Sequence, residues 1–250
     1  MADPIGPDEY VEAVEALSAA FADEAAATDP DAPISSQLWP TAGELVDHLG
    51  QIQRWAAQVV DTGASTDRAS FARPTGVDRV RWYRQSAERL TDALRAADPA
   101  RECWTLLGAG AAGFWRRRMT HEARKHVWDL RSAATPRPPL PDEGGAAMQA
   151  DAVDELFGVF LARTLRAGMI APLPGTLVLQ STDSDDAWLI SPHWEVSRGH
   201  DDRATVVRGA LGDVVLFAWE RMPLAEASGR LEVVGDPVVA ESFLTSHVHP

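Results

Sequence analysis

From about residue 8 to about residue 170, apolar side chains recur at three- and four-residue spacing; after about residue 175 that rhythm gives way to short strand-like runs. A helical period buries one stripe of each helix, and a strand period buries alternate side chains. The chain is thereby restricted to an α+β architecture, with a helical part first and a mixed part after it. Val11, Val14, Leu17 and Phe21 mark a first helix over Pro7 to Ala27. Thr41 and Glu44 form a capping box that opens a second helix running to about Asp61. A third helix is expected from near Thr75, with Val80, Tyr83, Ala87, Leu90 and Leu94 on one face. A fourth covers roughly Ala111 to Ala134, stopping before PRPPLP, and a fifth about Glu143 to Ala167. Short connections favour an antiparallel four- or five-helix bundle. LVLQST, AWLISPHWEV, RATVVRG and RLEVVG read as strands, and Leu211 to Trp219 and Val238 to Leu244 as helices, of a small C-terminal α+β domain. The boundary is expected within Gly168 to Gly175, giving domains 1–170 and 171–250.

Charge and cysteine usage narrow the function classes. A net charge of −14, spread along the chain, disfavours nucleic acid and anionic membrane surfaces as partners. No apolar run reaches the length of about 18 residues that a membrane span needs. The start MADPIGPDEY lacks the basic and apolar regions of a secretory signal, and the single cysteine, Cys103, precludes disulfide stapling within the chain. These features point to a cytoplasmic protein. Lys125 is the only lysine among 23 basic residues.

The fourth helix, FWRRRMTHEARKHVWDLRSAA, carries the main chemical signal. Wound at about 100° per residue, it gathers Trp115, Met119, Leu130 and Ala133 on one side. Arg117, Arg124, Lys125 and Arg131 gather on the other, which reads as a solvated face. His121 points toward that basic side. Glu122, His126 and Asp129 fall on the apolar side. A carboxylate there needs a partner or a metal, because burying an unpaired charge is costly. In TAGELVDHLGQIQRWAAQVV, His48 lies at the margin of a face made by Leu45, Leu49, Ile52, Ala56 and Val59. Two imidazoles and a carboxylate form a set that leaves metal coordination positions open, as in catalytic zinc or non-haem iron sites. The same residues also fit a buried Glu–His ion-pair cluster without metal. Asp129, three residues beyond His126, is placed to orient an imidazole, to join the coordination shell, or to pair with a basic residue.

Two segments, LWPTAGELVDHLGQIQRWA and FWRRRMTHEARKHVWDLRSAA, together with GALGDVVLFAWERMPLAEASGRLEVVGDP, resemble the mycothiol-dependent maleylpyruvate isomerase family, within the DinB-like helical-bundle superfamily. The resemblance covers nearly the whole chain. It implies a DinB-like bundle followed by a sterol-carrier-like α+β domain. It implies that His48, Glu122 and His126 hold a divalent metal, with zinc the usual ion, and that mycothiol is the thiol cosubstrate. It also implies that an arginine of the second domain, matched by Arg221, binds thiol or substrate carboxylates and takes part in catalysis. Asp129 is a candidate for helping to hold the cofactor. Asp213 and Trp219 of the same motif read as packing residues.

The expected function is a metal- and mycothiol-dependent enzyme of actinobacterial type. It would activate the external thiol for attack on an electrophilic small molecule, as a cis–trans isomerase or a thiol S-transferase. The alternatives are a metal-dependent hydrolase or lyase on the same scaffold and a non-catalytic small-molecule-binding protein. A monomer or a homodimer is compatible with the sequence.

Overall fold

The first unit of the chain is built on α1 (Pro7–Ala27), α2 (Ala42–Thr62), α3 (Arg79–Ala96) and α4 (Gly113–Arg131). The computed structural model describes residues 5–35, 38–246 and 248, and divides them between two units, 1–144 and 145–250. α2 and α3 begin where the sequence supplies a side-chain cap. The Thr41 hydroxyl accepts from the Glu44 amide at 3.3 Å while the Glu44 carboxylate accepts from the Thr41 amide at 3.2 Å, closing the expected capping box. The third helix starts at Arg79 and not near Thr75. Asp78 is its N-cap, accepting from the Arg81 amide at 2.8 Å, and the preceding residues 75–78 form a turn. α2 ends at Gly63, whose φ of 72° is the left-handed conformation that glycine adopts without a Cβ penalty.

α1 packs on α3 and α4, and α2 packs on the same two helices. Leu17, Phe21, Leu45, Leu49, Leu90 and Met119 are fully buried where the four meet. Removing each such side chain from water contributes about 1.5–3 kcal/mol. α2 and α3 approach so closely at Gly50 that a Cβ there would stand 2.3 Å from the Trp82 ring. A short hairpin that the sequence did not announce, β1 (Glu102–Thr105) and β2 (Gly108–Ala111), precedes α4. It closes the end of α2: the Trp104 amide donates to the Gly63 carbonyl at 2.8 Å, and Trp115 Nε1 donates to the Trp104 carbonyl at 2.8 Å. Trp55, Trp104 and Trp115 pack ring against ring there.

The second unit opens with a continuous helical stretch, α5 (Gly145–Glu155), a π-helical segment Leu156–Leu161, and α6 (Ala162–Ala167). It continues into a sheet of β3 (Leu177–Ser181), β4 (Ala187–Ile190), β5 (Val196–Arg198), β6 (Thr205–Gly209) and β7 (Leu231–Val234). The spatial order is β5-β4-β3-β6-β7, with β3 and β6 parallel and the other neighbours antiparallel. α7 (Leu211–Ala218) and α8 (Pro237–Leu244) pack on this sheet. The stretch from 145 belongs here because α5 lies against α7, Trp219 Nε1 donates to the Ala152 carbonyl at 3.1 Å, and Trp188 Nε1 donates to Asp154 at 2.7 Å. The division at Gly144–Gly145 therefore falls before the fifth helix, whereas the sequence placed it after that helix. The result is a helical bundle followed by a small α+β domain.

Candidate metal centre

His48 on α2 and Glu122 and His126 on α4 converge on one point of the bundle, offering three ligand atoms that lie within 4.8 Å of one another. Oε1 of Glu122 is 3.1 Å from Nε2 of His126 and 3.4 Å from Nε2 of His48. The two imidazole rings stand 5.1 Å apart at 85°, so both aim their ε nitrogens at the same oxygen. His126 is completely buried, and its Nδ1 is 2.8 Å from Oδ2 of the equally buried Asp129. A carboxylate there accepts from Nδ1–H, which leaves Nε2 as the lone-pair nitrogen of the neutral ring. That lone pair faces a carboxylate oxygen. The opposition is relieved by a proton or by a cation between them, and the donor set of two imidazoles and one carboxylate fits a divalent metal.

The electrostatics match a set of donors kept ready. Burial pushes the Glu122 carboxyl upward, but Lys125, Arg118 and His126 together outweigh burial and hold it well below its ordinary value. Burial lowers His48 to about 4, with His126 and Lys125 adding to that and Glu122 opposing it. His48 is therefore neutral at neutral pH.

Several surrounding residues escaped the sequence reading. Trp39, in the loop before α2, stacks on His48 with ring centroids 3.8 Å apart and meets His126 edge-on at 5.4 Å. Arg118 and Lys125 both bind Oε2 of Glu122, the latter at 3.1 Å. Their positions four residues before and three after Glu122 are the available signal, since those spacings share a helix face. The expected solvated face of α4 is not one. Arg124 is only 1% exposed, donates to the Glu143 carbonyl and lies 3.3 Å from Nδ1 of His121, which is itself buried. The segment after α4 returns over this side, with Trp128 Nε1 donating to the Pro138 carbonyl at 2.7 Å. Asp129 holds His126 from behind and does not stand among the three converging donors.

Arg221 lies in the second unit, half-buried just past α7, with Nη1 donating to the Trp219 carbonyl at 2.8 Å. The residue before it, Glu220, has a φ of 55°. Trp219 packs against Phe160 with ring centroids 5.2 Å apart, and Asp213 pairs with Arg230. Both serve the packing of this unit.

Residues 11–131 match the sequence model of the mycothiol maleylpyruvate isomerase N-terminal domain. The match assigns the helical unit to that domain family. Its domain spans α1 to α4, so His48, Glu122 and His126 all fall within the matched residues, as do Arg118, Lys125 and Asp129. Among solved structures, the chain is similar to the mycothiol-dependent maleylpyruvate isomerase and to a point mutant of that enzyme, with TM-scores of 0.64 and 0.66. Each is 16% identical and aligns over 92% of this chain and 93% of its own length. At that identity the likeness establishes the fold of the maleylpyruvate isomerase, a helical domain followed by a small α+β domain. A sterol carrier protein 2 like 2 from Aedes aegypti aligns over 38% of this chain and 95% of its own length at 16% identity, with a TM-score of only 0.28. No curated protein matches the chain. No helix among the described residues is long and apolar enough to cross a membrane.

Proposed function

We propose that the protein is a mycothiol-dependent metalloenzyme that adds an external thiol to an electrophilic small molecule, with maleylpyruvate-like cis–trans isomerisation as its reaction. The observation that carries this reading is the convergence of His48, Glu122 and His126 within 4.8 Å, inside residues matched to the isomerase family domain. These three residues would hold a divalent ion, for which zinc suits the imidazole and carboxylate donors. When bound, such an ion supplies an open position at which a thiol is held as its thiolate.

The remaining parts belong to the chain itself. Asp129 fixes the His126 ring so that Nε2 is presented, and Arg118 and Lys125 keep Glu122 ionised. Trp39 covers one face of the His48 ring and limits water around it. The chain's own thiol is not the nucleophile: Cys103 is buried, its pKa is raised by that burial, and its Sγ contacts the Val59 carbonyl. The nucleophile must then come from solution. Addition of a thiolate to a conjugated cis double bond makes it a single bond; rotation and loss of the thiol return the trans isomer and the free thiol. Release of the thioether instead would make the enzyme an S-transferase. Arg221, from the second unit, is our candidate for binding a carboxylate of thiol or substrate.

The test is turnover of maleylpyruvate by the purified protein with and without mycothiol. Isomerisation that requires mycothiol and disappears in His126→Ala is expected. Turnover at the same rate without thiol would overturn the reading in favour of a metal-dependent hydrolase or lyase.

A further inference from the structure

The two oxygens of Glu122 have different neighbours. Oε1 faces Nε2 of both histidines, at 3.1 and 3.4 Å. Oε2 receives Arg118 from one turn before and the Lys125 ammonium from one turn after, the latter at 3.1 Å. Arg118 is 5% exposed at its side chain and Lys125 14%, so neither contact is the loose pairing of a surface ion pair. Lys125 is moreover the only lysine of a chain that fills its other basic positions with arginine, and it stands against this carboxylate.

A carboxylate binds a divalent ion through one oxygen or chelates it through two, and the second mode consumes a coordination position. An oxygen committed to two charge-assisted hydrogen bonds is a poor second donor. We propose that Arg118 and Lys125 are positioning residues that hold Glu122 to a single donor oxygen, Oε1, and so keep a coordination position open for the thiol. The inference rests on the metal reading of the previous subsection and adds what sets the number of protein ligand atoms. Residues behind a ligand commonly govern its orientation, and losing them typically changes metal or ligand affinity by about 10–100-fold.

Cobalt(II) tests this, because its visible absorption is intense at four-coordination and weak at five or six. The full-length protein is loaded with Co²⁺ as wild type, Lys125→Met and Lys125→Arg, with circular dichroism checking that each variant is folded. The wild type should take up cobalt and absorb intensely. Lys125→Met should keep its cobalt but lose intensity as Oε2 becomes a second donor, and Lys125→Arg, which retains the cation, should follow the wild type. With 2-mercaptoethanol as the thiol probe, the sulfur-to-cobalt absorption of Lys125→Met should need about tenfold more thiol than wild type to reach half its full height. An unchanged spectrum and thiol affinity in Lys125→Met would overturn the proposal while leaving the metal site standing, as would cobalt lost from that variant with its fold intact. An equal shift in Lys125→Arg would assign the effect to local packing and overturn it too. Failure of the wild type to take up cobalt would instead overturn the metal reading beneath it.

Discussion

His126 shows how one helix turn assembles a presented ligand. Glu122 lies four residues before it and Asp129 three residues after, so both carboxylates reach the same ring from opposite ends. The Asp129 bond decides which nitrogen carries the proton. Asp129→Asn should therefore keep the fold but lower metal affinity by about 10–100-fold, because an amide offers its NH₂ as readily as its oxygen and no longer fixes the ring. Competition with a chromophoric chelator reads this directly, and an unchanged affinity would show that Asp129 serves packing alone. The convergence was legible at this scale because a spacing of four and an inward histidine on a second helix are visible in the sequence. Lys125 and Arg124 were misplaced because a helical wheel assumes one packed side. α4 is covered on both, its basic side by the residues that follow it. Trp39 was not legible because a loop has no periodicity from which to infer where a side chain points.

The placement of His48 depends on how α2 meets its neighbours. The Thr41–Glu44 capping box fixes where α2 begins, and Gly50, half a turn beyond His48, lets α2 settle against Trp82 of α3. Alanine is ordinarily the better helix former by about 1 kcal/mol. Here Gly50→Ala should instead destabilise the protein by about 1–3 kcal/mol, since its methyl would meet a buried ring at 2.3 Å. A thermal melt checks the sign, and a higher melting temperature would contradict the close approach of these helices. Long apolar-periodic runs made α1, α2 and α4 readable to within a few residues, and the Thr41–Glu44 capping box marked where α2 starts. The β1–β2 hairpin was not, because its strands have four residues each and β2 is only glycine and alanine, with no apolar alternation to recognise. The third helix was expected from near Thr75, but a turn occupies those residues and the structure starts the helix after its cap, Asp78.

The whole molecule pairs a helical unit that contains the complete donor cluster with an α+β unit that contains Arg221. The order of the two was legible from the change in hydrophobic period. Their boundary was not: the helical stretch at 145–167 has the same period as the bundle helices, and only its contacts with α7 and Trp219 assign it to the second unit. Since one cluster of this kind occurs among the described residues, a single ion per chain is expected. The most direct measurement is metal content by inductively coupled plasma mass spectrometry on protein purified without an affinity tag, as wild type, His48→Ala and His126→Ala. About one equivalent of divalent metal is expected in the wild type, and its loss in both variants with the fold retained. A folded wild type that carries no metal and takes up none from added zinc would contradict it, and would leave a buried glutamate–histidine cluster in its place.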